Sequence, residues 1–171
     1  MIETPRLQLW TLPPPLVTLL VEGDLVGAAA TDPPYDIGVE TFSADGYVLC
    51  LRQAQLLADP SQEPWLFRVA VRRGSRQVVA RGGFHAPPDT DGTVEIGYST
   101  APPHRRQGYA LELARGLLEW AREQGAQRCL ASVRPDNAAS LATIARLGFE
   151  RTGEQIDEID GLEWVHTLAL H

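Results

Sequence analysis

The segment Tyr98 to Ala110 (YSTAPPHRRQGYA) concentrates groups suited to holding an anion. A strand-like run ends at two prolines, two arginines follow, and Gly108 and Ala110 open a long helical pattern. The first turn of a helix leaves about four backbone N–H groups unpaired, and its dipole places roughly half a positive charge there. Gly108 lets the backbone approach a bulky ligand, and Ala110 is too small to push it away. Arg105 and Arg106 can add charge-assisted hydrogen bonds to phosphate. Over the six residues Arg105 to Ala110 alone, a plain strand-to-helix turn with two solvated arginines reads equally well. Upstream, Glu95 lies on the strand itself, where a carboxylate needs a partner or a use. Period-two alternation puts Glu95, Gly97 and Ser99 on one face and Ile96 and Tyr98 on the other. Downstream, Asn137 and Ser140 share a face near the start of a short helix, where they can also act as its cap and capping turn.

Composition removes several alternatives. All fifteen basic residues are arginine, so a Walker-A loop and any Schiff-base or pyridoxal-phosphate chemistry are excluded, since each needs a lysine. A net charge of −7 has the wrong sign for nucleic acid and the right sign for cationic amines. Cys50 and Cys129 are too few for a disulfide framework or thiolate metal site and read as small core residues. His85, His104, His166 and His171 lack ligand spacing, so no metal is expected; His85 ends a strand beside the acceptor side. The longest apolar candidate, Leu16 to Val21, stops at Glu22, and no secretory leader is apparent. The expectation is a cytoplasmic protein with neither a membrane nor a nucleic-acid partner.

The elements that must position these residues follow from periodicity. Arg6 to Leu12 alternates as a half-buried strand, and helices are expected after the prolines through Val21 and over about Ser43 to Ala58. Trp65 to Arg72, Gln77 to His85 and Thr93 to Thr100 read as a meander, with a turn at Asp89 to Gly92. From Gln107 to Gln124, Ala110, Leu113, Ala114, Leu117, Leu118 and Ala121 form one buried stripe that Gly125 ends. A strand over Arg128 to Arg134, a helix over Asn137 to Leu147 closed by Gly148, and strands over Phe149 to Asp157 and Leu162 to Leu170 complete the chain. This order implies an α/β (α+β) fold, one domain over residues 1–171, with helices on the faces of a mixed sheet.

Arg105-Arg106-Gln107-Gly108-Tyr109-Ala110 fits the (Gln/Arg)-x-x-Gly-x-(Gly/Ala) motif and resembles the pyrophosphate loop of the GNAT N-acetyltransferases. Thr4-Pro5-Arg6-Leu7-x-Leu9, Glu95-Ile96-Gly97-Tyr98, and Asn137-x-x-Ser140 with Gly148-Phe149 are similar to the RimJ/RimL-like branch, which includes ribosomal-protein N-terminal acetyltransferases. The resemblance runs from about Thr4 to Leu170. It implies a mostly antiparallel sheet of about seven strands, splayed at its centre, and acetyl-CoA as the acyl donor. It also implies a primary amine as acceptor, either a small molecule or a protein N-terminus. Carried over by position, Gly97, Tyr98, Ser99 and Thr100 would hold the pantetheine arm, Arg105, Arg106, Gln107, Gly108, Tyr109 and Ala110 the pyrophosphate, and Asn137 the cofactor. Glu95 would be the general base and Ser140 the general acid. Many other members of the family use instead a tyrosine about seven residues after that asparagine, a position held here by Ile144. Dimers are common among such relatives, so a homodimer is a further expectation. The same residues would serve a non-catalytic acyl-CoA sensor or scaffold. A nucleotide-binding module is disfavoured by the missing lysine and acidic metal ligands. An acidic final hairpin, Glu150 to Glu163, would wall the acceptor side.

Overall fold

Among the described residues, eight strands pair into one sheet whose two faces are both covered by helices. The computed structural model describes residues 1–37 and 46–171. Its strands are β1 (Ile2–Glu3), β2 (Leu7–Thr11), β3 (Arg68–Arg72), β4 (Val78–Phe84), β5 (Thr93–Thr100), β6 (Arg128–Val133), β7 (Glu150–Asp157) and β8 (Gly161–Ala169). The helices are α1 (Pro14–Val21), α2 (Leu25–Ala30), α3 (Gly46–Ala58), α4 (Tyr109–Glu123) and α5 (Ala138–Leu147). The sheet order is β1-β2-β3-β4-β5-β6-β8-β7. Every pairing is antiparallel except β5 with β6.

Alternation along β3 shows how the sheet divides the core. Ala70 joins Leu7, Leu9 and Ile96 on the face covered by Leu113 and Leu117 of α4 and Ile144 of α5. Val69 and Val71 join Leu12 on the opposite face, under Leu16 and Val17 of α1 and Leu49 and Leu56 of α3. The stripe on α4 is buried from Leu113 to Ala121, as its spacing requires. Gly125 and Gly148, at φ 92° and 90°, take the left-handed positions that follow helix ends.

Local differences from the sequence reading have physical causes. α2, capped by Asp24 Oδ1 accepting from Gly27 N–H at 2.8 Å, lies in a stretch the sequence left undetermined. β3 begins at Arg68 rather than Trp65, because Trp65 and Leu66 close turns onto the Gln62 and Glu63 carbonyls. The helical pattern at Gln107 starts two residues late: Arg106 and Gly108 are left-handed, at φ 59° and 83°, and α4 opens at Tyr109. The expected start of α3 at Ser43 lies outside the described residues.

The segment before β2 is fastened to α4. Glu112 accepts from Thr4 Oγ1 (2.7 Å), Arg6 N–H (2.7 Å) and Arg6 Nε (2.6 Å). Burial pushes the Glu112 carboxyl up, but these donors and the Arg6 charge outweigh it and leave the group below its usual range. Stability from a depressed carboxylate is present above the unfolded value, about 4.3, and is lost as pH falls through the folded value. Glu112→Ala should therefore cost about 2 kcal/mol at pH 7. That difference should shrink in urea melts carried out below about pH 4.

Candidate active site

The sheet opens in its middle. β5 and β6 pair only at Thr93↔Arg128, Val94↔Cys129 and Glu95↔Leu130. Beyond that point β5 continues on β4 as far as Thr100, while β6 continues on β8. The Glu95 carbonyl accepts from His85 N–H at 2.8 Å, and Ala101 N–H donates to the Val79 carbonyl at 3.1 Å. Antiparallel alternation thus commits the backbone of Gly97 and Ser99 to β4 and turns that of Tyr98 and Thr100 toward the opening. Of the four residues expected along a pantetheine arm, Tyr98 and Thr100 turn their backbone toward the opening. Gly97 contributes space instead: a Cβ there would lie 3.1 Å from His85 Nε2.

One end of this opening is cationic. A cavity of about 550 Å³ is lined by Ser99, Thr100, Arg105, Arg106, Gly108 and Tyr109, and on its far wall by Asn137, Ser140 and Arg146. Left-handed residues in a turn aim successive N–H groups into one concavity, and here that concavity adjoins the start of a fifteen-residue helix. The sequence reading missed Arg6, which braces this loop. Its Nη1 donates to the Gln107 carbonyl at 3.1 Å, and its guanidinium lies 4.8 Å from the centre of the Tyr109 ring. The only signal for it was the Thr-Pro-Arg-Leu start. The Gln107 side chain donates to the Pro103 carbonyl at 3.2 Å, and Gln107 is not among the residues lining this cavity. The Thr100 hydroxyl oxygen is buried without a partner, so a polar ligand has a group to satisfy there.

The other end is acidic. Glu95, with a side chain 27% exposed, accepts from Ser132 Oγ at 2.6 Å and lies 3.5 Å from His85 Nδ1. His85 pulls its carboxyl down most; burial opposes this and Ser132 adds to the lowering. The group thus stays ionised at neutral pH. Gln155 Nε2 donates both to Ser132 Oγ (3.1 Å) and to Glu163 Oε2 (3.0 Å), so a polar chain runs from Glu95 to Glu163. These residues line a cavity of about 330 Å³ together with Asp157, Asp160, Asn137 and Ser140. Arg134, also on its wall, is held by Asp136 at 2.7 Å. The structure therefore brings Glu95, Asn137 and Ser140 to one cavity, along with His85, Ser132 and Gln155.

Asn137 Oδ1 accepts from Ser140 N–H at 3.1 Å, capping α5. Cys129 is buried, and burial pushes its thiol up to about 12, so it stays protonated and is unsuited to an acyl-cysteine route. Among the described residues, no group of three His, Cys, Asp or Glu side chains could hold a metal ion, and no helix is long and apolar enough to cross a membrane.

Comparison with known proteins extends this picture. Residues 40–150 match the sequence model of the Acetyltransferase (GNAT) domain. The chain is 29% identical over 154 residues to N-acetyltransferase YjdG of Bacillus subtilis (strain 168), a match spanning 87% of this chain and 89% of that one. The fold superposes on ribosomal-protein-S5-alanine acetyltransferase from Vibrio fischeri with a TM-score of 0.68 at 15% identity, covering 98% and 95% of the two chains. It superposes on the microcin C7 self-immunity acetyltransferase MccE, in complex with acetyl-CoA and AMP, with a TM-score of 0.64 at 16% identity over 96% and 93%.

Proposed function

Because this chain belongs to the GNAT acetyltransferase family, we propose that it moves an acetyl group from acetyl-CoA to a primary amine by direct attack in a ternary complex. The observation that carries this reading is the opening between β5 and β6, with a phosphate-suited loop at one end and an ionised carboxylate at the other. Arg105, Arg106 and the first N–H groups of α4 would hold the pyrophosphate, and the backbone of Tyr98 and Thr100 the amide-bearing arm. Acetyl-CoA, when bound, supplies a thioester carbon open to attack by a neutral amine. Glu95 takes the proton that the acceptor must lose, directly or through water, and Ser132 and His85 hold its carboxylate in place. Asn137 positions α5, and Ser140 gives its hydroxyl proton to the departing sulfur. Backbone N–H groups in the opening polarise the carbonyl.

The acceptor cavity favours a cation. Glu95, Asp157, Asp160 and Glu163 all line it, and its one arginine is already paired. A cationic small amine or a basic peptide N-terminus suits this field better than a zwitterionic amino acid. Release of free CoA from acetyl-CoA should be measured against 1,4-diaminobutane, spermidine, a peptide beginning Ala-Arg and methionine. The cationic acceptors should turn over at least tenfold faster in kcat/KM than methionine at low salt, with the advantage narrowing in salt. CoA binding without turnover of any amine would overturn the transferase reading.

A further inference from the structure

We propose that the Tyr98 side chain is a positioning residue for Ser140, fixing the direction in which that serine presents its proton. The proposal rests on the reading of Ser140 as the proton donor and adds to it a second residue from the opposite wall. Tyr98 stands where the cavities of the site meet: it lines the acidic cavity, the cationic cavity and a smaller apolar one of about 170 Å³ beside β4. The ring packs on the core beneath α4 and α5. Its hydroxyl oxygen is completely covered and has no partner at full hydrogen-bond geometry, with the Ser140 and Thr143 hydroxyls as its neighbours. A buried phenol normally finds a partner, so an orphan of this kind points to an acceptor that closes on it.

Two candidate acceptors on successive turns of α5, Ser140 and Thr143, line the cationic cavity with it. Burial pushes the Tyr98 phenol up, and the hydroxyls of Ser140 and Thr143 pull it part of the way back, so it remains a protonated donor at neutral pH. Thr143 has already directed its own proton to the Ala139 carbonyl at 2.9 Å. Ser140 gives only its backbone N–H, to Asn137, and its hydroxyl is free to rotate. A serine hydroxyl has one proton and two lone pairs, and its rotor settles according to what it accepts. When Tyr98 donates to Ser140 Oγ, one lone pair is occupied and the serine proton is turned away from the ring, into the opening between β5 and β6. As the carbon–sulfur bond breaks, its electron pair stays on sulfur and Ser140 transfers that proton to the sulfur. Solvent restores the serine proton after the thiol leaves, and Tyr98 keeps its own proton throughout.

A double-mutant cycle tests this in the free protein and in turnover. In thermal melts without ligand, Tyr98→Phe and Ser140→Ala should be non-additive, the second change costing almost nothing once the first is made. With acetyl-CoA and the fastest acceptor of the amine panel, each single variant should lose about tenfold in kcat, and the double variant no more than Ser140→Ala alone. KM for acetyl-CoA and calorimetric affinity for CoA should stay within about twofold of wild type. Multiplicative losses, or loss of CoA affinity with kcat retained, would overturn the proposal. Coupling of Tyr98→Phe to Thr143→Val instead of Ser140→Ala would do the same. Full kcat in Ser140→Ala would sink the Ser140 reading itself. Loss in Ser140→Ala with full kcat in Tyr98→Phe would sink only the role given to Tyr98.

Discussion

Replacing Glu95 with glutamine is expected to lower kcat by about a hundredfold or more, the usual range for losing a positioned base. The pH profile carries the sharper test. In the wild type, Glu95 is ionised well below neutrality because His85 and Ser132 stabilise its charge. An alkylammonium acceptor stays protonated up to a pH of about 10. Enzyme and acceptor are therefore both in the productive form across the neutral range, and kcat/KM should be flat from about pH 6 to 9. Glu95→Gln keeps the shape and the hydrogen-bond acceptor but cannot take the proton, so only the small fraction of free amine reacts. Its kcat/KM should then climb about tenfold per pH unit over the same interval. A flat profile in the variant would show that the carboxylate is not the base.

The second large effect is expected at Gly108. Its φ of 83° is a conformation that costs a residue with a Cβ roughly 1–2 kcal/mol, and more with a branched side chain. A Cβ there would also lie 3.4 Å from the Arg6 guanidinium, the group that braces Gln107 and Glu112. Gly108→Val should therefore disturb the N–H array and its brace together. Calorimetric affinity for CoA is expected to fall about a hundredfold, or roughly 2.7 kcal/mol. Gly108→Ala should fall about tenfold. Far-ultraviolet dichroism should be retained, because α4 is held by its buried stripe from Leu113 to Ala121 rather than by its first residue. Unchanged affinity in the valine variant would remove the anion loop from the donor site.

Much of this arrangement is legible from local spacing. The α4 stripe, the Gly125 and Gly148 stops, and the alternation that sets Glu95 apart from Ile96 depend only on neighbours within a turn or a strand, where side-chain period dictates burial. The Arg-Arg-Gln-Gly-Tyr-Ala loop carries its chemistry in its residue types. What periodicity cannot supply is register between distant segments. The chain from Glu95 through Ser132 and Gln155 to Glu163 links β5, β6, β7 and β8, and nothing in those short segments announces that they meet. The bracing contacts of Arg6 are hidden for the same reason: its partners at Gln107 and Glu112 lie about a hundred residues away in sequence. The late start of α4 was missed because Arg106 is left-handed without being glycine, a choice made by the surrounding loop against the residue's own preference.

The parting of β5 from β6 has one more consequence. Among the described residues, strand pairing joins the β1–β5 half of the sheet to the β6–β8 half only at Thr93, Val94 and Glu95, facing Arg128, Cys129 and Leu130. The slot begins where those pairs end, and the angle at which the half-sheets part there sets its width. Val94 and Cys129, both buried there, line neither the cationic nor the acidic cavity. A change in their bulk would nonetheless widen or narrow the slot along its whole length.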